Sequence, residues 1–124
     1  MSDRFTTSSA RSYSSGTQGR CITNARTNHF VIDDADYNGG PNEAINAAEA
    51  FLSGITACAV LMLERVARQQ EIPLRRADIS IDATRDSEAV HEVHSVYDSV
   101  RMRFELTGPS EEQAQELVEI YKRR

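Results

Sequence analysis

The run AFLSGITACAVLM from Ala50 to Met62, extended by Leu63, carries no charged side chain, and only Ser53, Gly54 and Thr56 interrupt its apolar character. A run of this kind has to be buried. With its flanks it has the helical period: Ile45, Ala48, Leu52, Ile55, Ala59, Met62 and Val66 recur at spacings of three and four, which keeps them on one face. Phe51, Cys58, Leu61 and Leu63 lie off that stripe and are apolar as well. The pattern therefore predicts a core helix, hydrophobic nearly all round its middle, with Cys58 in its most buried segment. The uncharged stretch of about 14 residues is shorter than the ~20 that a bilayer span requires, so no membrane partner is expected.

A chain of 124 residues accommodates one domain with one core. Fourteen Lys and Arg against 19 Asp and Glu give a formal charge of −5, which repels polyanions and argues against nucleic acid as a partner. No secretory n-region and h-region open the chain, and a cytoplasmic location is expected. The first 17 residues hold nine Ser or Thr and three large apolar side chains, Met1, Phe5 and Tyr13. Such a segment buries too little to offset its entropy, so residues 1–17 read as a disordered tail and 18–124 as the folded domain. Cys21 and Cys58 make no disulfide framework and read as free thiols in a reducing compartment.

From Arg20 to Tyr37 the residues Cys21, Ile22, Phe30, Val31 and Ile32 suggest one or two short strands. Asn38-Gly39-Gly40-Pro41-Asn42 is a turn. Asn42 is a suitable N-cap with Glu43 behind it, placing the helix start there, and Pro73 sets its end. Ala77, Ile79, Ile81 and Ala83 then alternate with polar residues, as do Val100, Met102, Phe104 and Leu106. Both segments read as half-buried strands. Paired antiparallel, the carboxylates of the first would face the arginines of the second. Ser110-Glu111-Glu112-Gln113 has the capping-box spacing, and Ala114, Leu117, Val118 and Tyr121 give the following helix one apolar face.

Few constellations suggest chemistry. A catalytic Cys58 needs a nearby cation, because the thiolate attacks and a mid-helix position gains nothing from the helix dipole; otherwise it packs as a small hydrophobe. His91 and His94 are spaced i and i+3, not the i and i+4 of a zinc-protease helix, and read as solvated loop residues. Asp33, Asp34 and Asp36 lack the spaced loop of an EF-hand and read as turn and solubility residues. No metal or cofactor is expected.

The glycine turn Gly39-Gly40-Pro41-Asn42 followed by Ala47-Ala48-Glu49-Ala50-Phe51-Leu52-Ser53-Gly54-Ile55-Thr56-Ala57-Cys58 resembles the OsmC/Ohr family, the osmotically inducible protein C and organic hydroperoxide resistance proteins. The likeness runs from about Arg26 to Arg124. It implies an α+β fold in which a long central helix is wrapped by curved antiparallel sheets and two chains intertwine as a homodimer. It further implies a reactive cysteine, matched by Cys58, an acidic partner, matched by Glu49, and an arginine that stabilises the thiolate, matched by Arg26. Three departures accompany the resemblance. Ala47 replaces the proline ahead of the acidic residue; the resolving cysteine expected after the second helix is not reached by Arg124, so that either the chain is a C-terminally truncated form or it lacks both that cysteine and the final strand; and Cys21 is additional. In a continuous helix, Glu49 and Cys58 are about 13 Å apart along the axis and on opposite faces, so Glu49 reaches the thiol from a partner subunit or not at all. Cys21 pairs with Cys58 only if their Cα atoms lie within about 7 Å.

The resemblance implies a thiol-dependent peroxidase for organic hydroperoxides in oxidative stress defence, with an external thiol as reductant. The alternative is a non-catalytic dimeric module that binds an apolar small molecule in the interface cavity.

Overall fold

The computed structural model describes residues 4–86 and 97–124, and the chain divides into two compact units, Met1–Phe51 and Leu52–Arg124. In chain order the elements are β1 (Arg11–Ser14), β2 (Arg20–Ala25), β3 (Asn28–Asp33), a 3-10 turn (Asp36–Asn38), α1 (Ala47–Gln69), β4 (Arg76–Thr84), β5 (Ser99–Thr107) and α2 (Glu111–Lys122). A long helix with antiparallel sheets is the α+β class that the sequence implies.

The first unit is built on the antiparallel sheet β1-β2-β3. Its hairpin turns through Arg26 and Thr27, with Ala25 opposite Asn28 and Arg20 opposite Asp33. β1 corrects the reading of residues 1–17 as a tail outside the fold, since Arg11–Ser14 pairs with Cys21–Asn24. A strand needs its backbone groups paired more than it needs apolar side chains. Here the pairing is joined by a 2.7 Å hydrogen bond between the hydroxyls of Ser12 and Thr23 and by the Arg11 guanidinium 4.7 Å from the Tyr13 ring centre.

Polar contacts fasten this unit. Its buried residues, among those described, are Thr23, Asp33 and Ala35. Asp33 is not the solvated turn residue expected, but is 0 % exposed. Arg20 donates to it through Nε at 2.7 Å and Nη2 at 2.8 Å, and the backbone N–H groups of Glu43 and Ala44 each donate to its Oδ2 at 3.0 Å. Glu43 in turn accepts from Arg20 Nη2 at 3.1 Å. The carboxylate thus ties β2, β3 and the segment leading into α1. Beside it, Gly19 is held at φ 77°, and a Cβ there would lie 2.5 Å from the Cα of Gly40. Only glycine fits that backbone-on-backbone approach.

α1 starts at Ala47, five residues beyond Asn42. Asn42 instead takes a left-handed φ of 54° and donates its N–H to the Asp34 carbonyl at 3.2 Å. The cap is Asn46: its Oδ1 accepts from the Glu49 N–H at 2.8 Å, while Glu49 Oε1 accepts from the Asn46 N–H at 2.9 Å. This is a reciprocal capping box. The helix also stops ahead of Pro73. Glu71 adopts φ 56°, and the Ile72 N–H reaches back to the Ala67 carbonyl at 2.8 Å, the Schellman closure.

The second unit pairs β4 with β5 antiparallel against α2 and the C-terminal part of α1. Leu63, Val66, Ala67, Ile72, Leu117 and Ile120 form its core, flanked by Met62, Leu74, Ile79, Phe104, Leu106 and Tyr121. Phe104 and Tyr121 meet edge to face, with ring centres 5.5 Å apart, a favourable aromatic geometry. The register sets Asp82 opposite Arg101 but Asp78 opposite Glu105 and Ser80 opposite Arg103. The expected facing of carboxylates and arginines is therefore partial, and the ion pairs Arg76–Asp78 at 3.0 Å and Arg103–Glu105 at 2.8 Å run along the strands. The capping box at Ser110 forms as expected, with Gln113 as its reciprocal partner.

Candidate functional site

Cys58 lies in the middle of α1, and it is exposed. This corrects the expectation of a thiol in the most buried segment. α1 turns Ala59, Leu63, Val66 and Ala67 inward. Gly54, Cys58, Leu61 and Arg65 follow one another at spacings of four, three and four, share another face, and are all exposed. Phe51 and Leu61 on this helix remain 63 % and 59 % exposed. An apolar sequence shows that a side chain prefers to leave water; it does not show whether its own protomer can cover it. α1 is long and apolar enough to cross a membrane by length and composition, yet its C-terminal part packs into the second unit's core as a core helix does.

Glu49 stands at the start of the same helix, where its carboxylate takes part in the cap. Cys58 follows nine positions later, which on a continuous helix is about 13 Å of rise and about two and a half turns. That spacing assigns the two positions to opposite faces of an ideal helix. Arg26 belongs to the first unit, exposed at the tip of the β2–β3 hairpin, where it holds φ 57°, a backbone region costly for any residue with a Cβ.

Cys21, in β2, is a half-buried free thiol lining a cleft of about 710 Å³ in the first unit, together with Tyr13, Ser14, Arg20, Ile32 and Asp33. The strongest electrostatic feature of the described residues is the Arg20–Asp33 pair. The Arg20 hydrogen bond, aided by the Glu43 and Ala44 N–H groups, outweighs burial and lowers the Asp33 carboxyl to about 2. Asp33 and, secondarily, Glu43 hold the Arg20 guanidinium protonated far above its ordinary range. Sequence reading missed this cluster, although a two-residue turn at Arg26-Thr27 fixes the register that sets Arg20 against Asp33. His91, Glu92 and His94 lie outside the described residues. Among the described residues no group of three His, Cys, Asp or Glu is placed to hold a metal ion.

A mixed fold of antiparallel sheets and a long helix bearing an accessible mid-helix thiol defines a class of small α+β proteins, and the comparisons identify it. Residues 40–124 match the family described as OsmC-like protein, and the chain belongs to that family. No curated protein matches the sequence. Among solved structures, an OsmC-like protein from Mycoplasma pneumoniae superposes with a TM-score of 0.82 at 12 % identity, over 96 % of this chain and 82 % of its own. A Legionella pneumophila protein described as an organic hydroperoxide resistance protein OsmC and predicted redox protein gives 0.68 at 18 %, over 94 % and 82 %. A Vibrio cholerae O1 protein described as an organic hydroperoxide resistance protein, with captopril in one of its active sites, gives 0.58 at 20 %, over 97 % and 79 %. At these identities the likeness establishes the fold.

Proposed function

We propose that the protein is a thiol-dependent peroxidase that reduces organic hydroperoxides through Cys58, acting as a cytoplasmic homodimer. The observation that carries this reading is the accessible thiol in the middle of α1, inside the stretch that matches the OsmC-like family. Names of structural neighbours as hydroperoxide resistance proteins support it. The Cys58 thiolate attacks the terminal oxygen of ROOH; the O–O bond breaks, its electron pair leaves with RO⁻, and a proton completes the alcohol. Sulfur retains the transferred oxygen as sulfenic acid. An external thiol then condenses with the sulfenic acid, releasing water and giving a mixed disulfide, which a second thiol reduces.

Arg26 serves as the cation that favours the thiolate, and Glu49, supplied by a second copy, as its acidic partner. The opposite faces of Glu49 and Cys58 favour that division. Self-association is supported by the exposed α1 face, because uncovered apolar surface of this kind marks an interaction site. The second reading, a non-catalytic module binding an apolar small molecule, draws on the same exposed Phe51 and Leu61 and on the commitment of Glu49 to the helix cap.

Hydroperoxide consumption in the presence of a dithiol tests the choice. Catalytic turnover by wild type, lost in Cys58→Ser, supports the peroxidase. Equal inactivity of both proteins, with apolar-ligand binding retained in Cys58→Ser, supports the binding module.

A further inference from the structure

Nothing within the protomer requires a glycine at position 54. Gly54 lies inside α1, where glycine weakens a helix relative to alanine through its backbone entropy. Apart from its chain neighbours and the adjoining helix backbone, a Cβ added there would meet no atom within 4 Å. Gly19 and Gly108 contrast with it, each combining a positive φ with a backbone neighbour that a Cβ would strike. Gly54 is exposed and precedes Cys58 by four residues on the same face. Helical side chains lean toward the N-terminus, so Cys58 covers the turn before it, where Gly54 leaves the helix surface bare.

We propose that Gly54 is a specificity-determining residue for the Cys58 reaction: its missing side chain keeps open the space that the organic group of a hydroperoxide occupies while the terminal oxygen meets the sulfur. This inference rests on the peroxidase reading above. Displacement at oxygen requires the leaving alkoxide to project away from the attacking sulfur, roughly in line with it. Hydrogen peroxide sheds only hydroxide and needs little room; an alkyl or aryl hydroperoxide needs room for its whole organic group beside the helix. A methyl group at position 54 takes that room from the bulky substrate alone.

The test uses the full chain as wild type, Gly54→Ala and Gly54→Val. Melting temperature and oligomeric state are measured with the rate of Cys58 sulfenic acid formation by cumene hydroperoxide and by hydrogen peroxide. Gly54→Ala is expected to melt higher, to keep its oligomeric state, to react at least about tenfold more slowly with cumene hydroperoxide and to change by less than about twofold with hydrogen peroxide, the scale of one added methylene in a substrate pocket. Gly54→Val should widen the difference between the two peroxides. Equal slowing with both, or no slowing with either, overturns the proposal. So does a changed oligomeric state, which would assign Gly54 to packing between copies. A wild-type Cys58 inert to both peroxides shows instead that the peroxidase reading has failed.

Discussion

Arg20 and Asp33 stand directly opposite each other on β2 and β3, and the guanidinium grips the buried carboxylate through hydrogen bonds of 2.7 and 2.8 Å. Among the described residues of this unit the buried ones are Thr23, Asp33 and Ala35, and this pair, with the Glu43 and Ala44 N–H groups on Asp33, fastens β2, β3 and the segment leading into α1.

Acid should therefore loosen the first unit. Asp33 titrates near 3.8 when unfolded and at about 2 when folded. A depressed folded value means that its stabilisation is complete above about 4 and lost as the pH falls toward 2. Melting followed from pH 5 to 2 should show this decline in wild type, and a flatter one in Asp33→Asn. At neutral pH, Asp33→Asn should melt several degrees lower, because it leaves Arg20 without its main partner.

Arg26→Gly separates backbone strain from chemistry. Releasing a Cβ residue from φ 57° should raise stability by roughly 0.5–1 kcal/mol, net of the added chain entropy of glycine. The proposed role of Arg26 requires the same variant to lose thiolate at Cys58. Urea unfolding combined with the pH dependence of Cys58 alkylation checks both outcomes, and a faster-reacting Arg26→Gly thiol contradicts the assignment.

Glu49 has two separable duties. Glu49→Ala removes half of the capping box and should cost about 1 kcal/mol. Glu49→Gln preserves the cap, since Gln serves equally at that position, and should leave the unfolding midpoint unchanged while slowing Cys58 oxidation.

Gly108 holds φ 114°, and a Cβ there would run into the Pro73 carbonyl. Gly108→Ala should destabilise the protein by roughly 1–3 kcal/mol. Thermal melts against the surface control Glu116→Ala provide the check.

Local signals were legible wherever one residue's neighbours in sequence are its neighbours in space. Alternation from Ala77 to Ala83 and from Val100 to Leu106 places β4 and β5, and Ser110-x-x-Gln113 places the start of α2. The start of α1 was within reach by the same rule, since Asn46-x-x-Glu49 has the capping-box spacing and Asn42 is followed at that distance by Ile45. β1 was hidden because Arg11-Ser-Tyr-Ser14 has no apolar alternation. Burial of Asp33 depends on Arg20, 13 residues earlier, and so needs the register of the hairpin. The candidate site was legible as a position, Cys58 on a long apolar helix, but its exposure was not, because apolar content does not distinguish a protomer's core from a surface to be covered.

The central claim is that Cys58 is oxidised by an organic hydroperoxide. Intact mass after a brief reaction with one equivalent of cumene hydroperoxide and a sulfenic acid trap, on wild type and Cys58→Ser, tests it directly. The account predicts a single trap adduct on wild type, mapped to Cys58, and none on Cys58→Ser. A folded wild-type protein that forms no adduct, or an adduct that persists in Cys58→Ser, contradicts it.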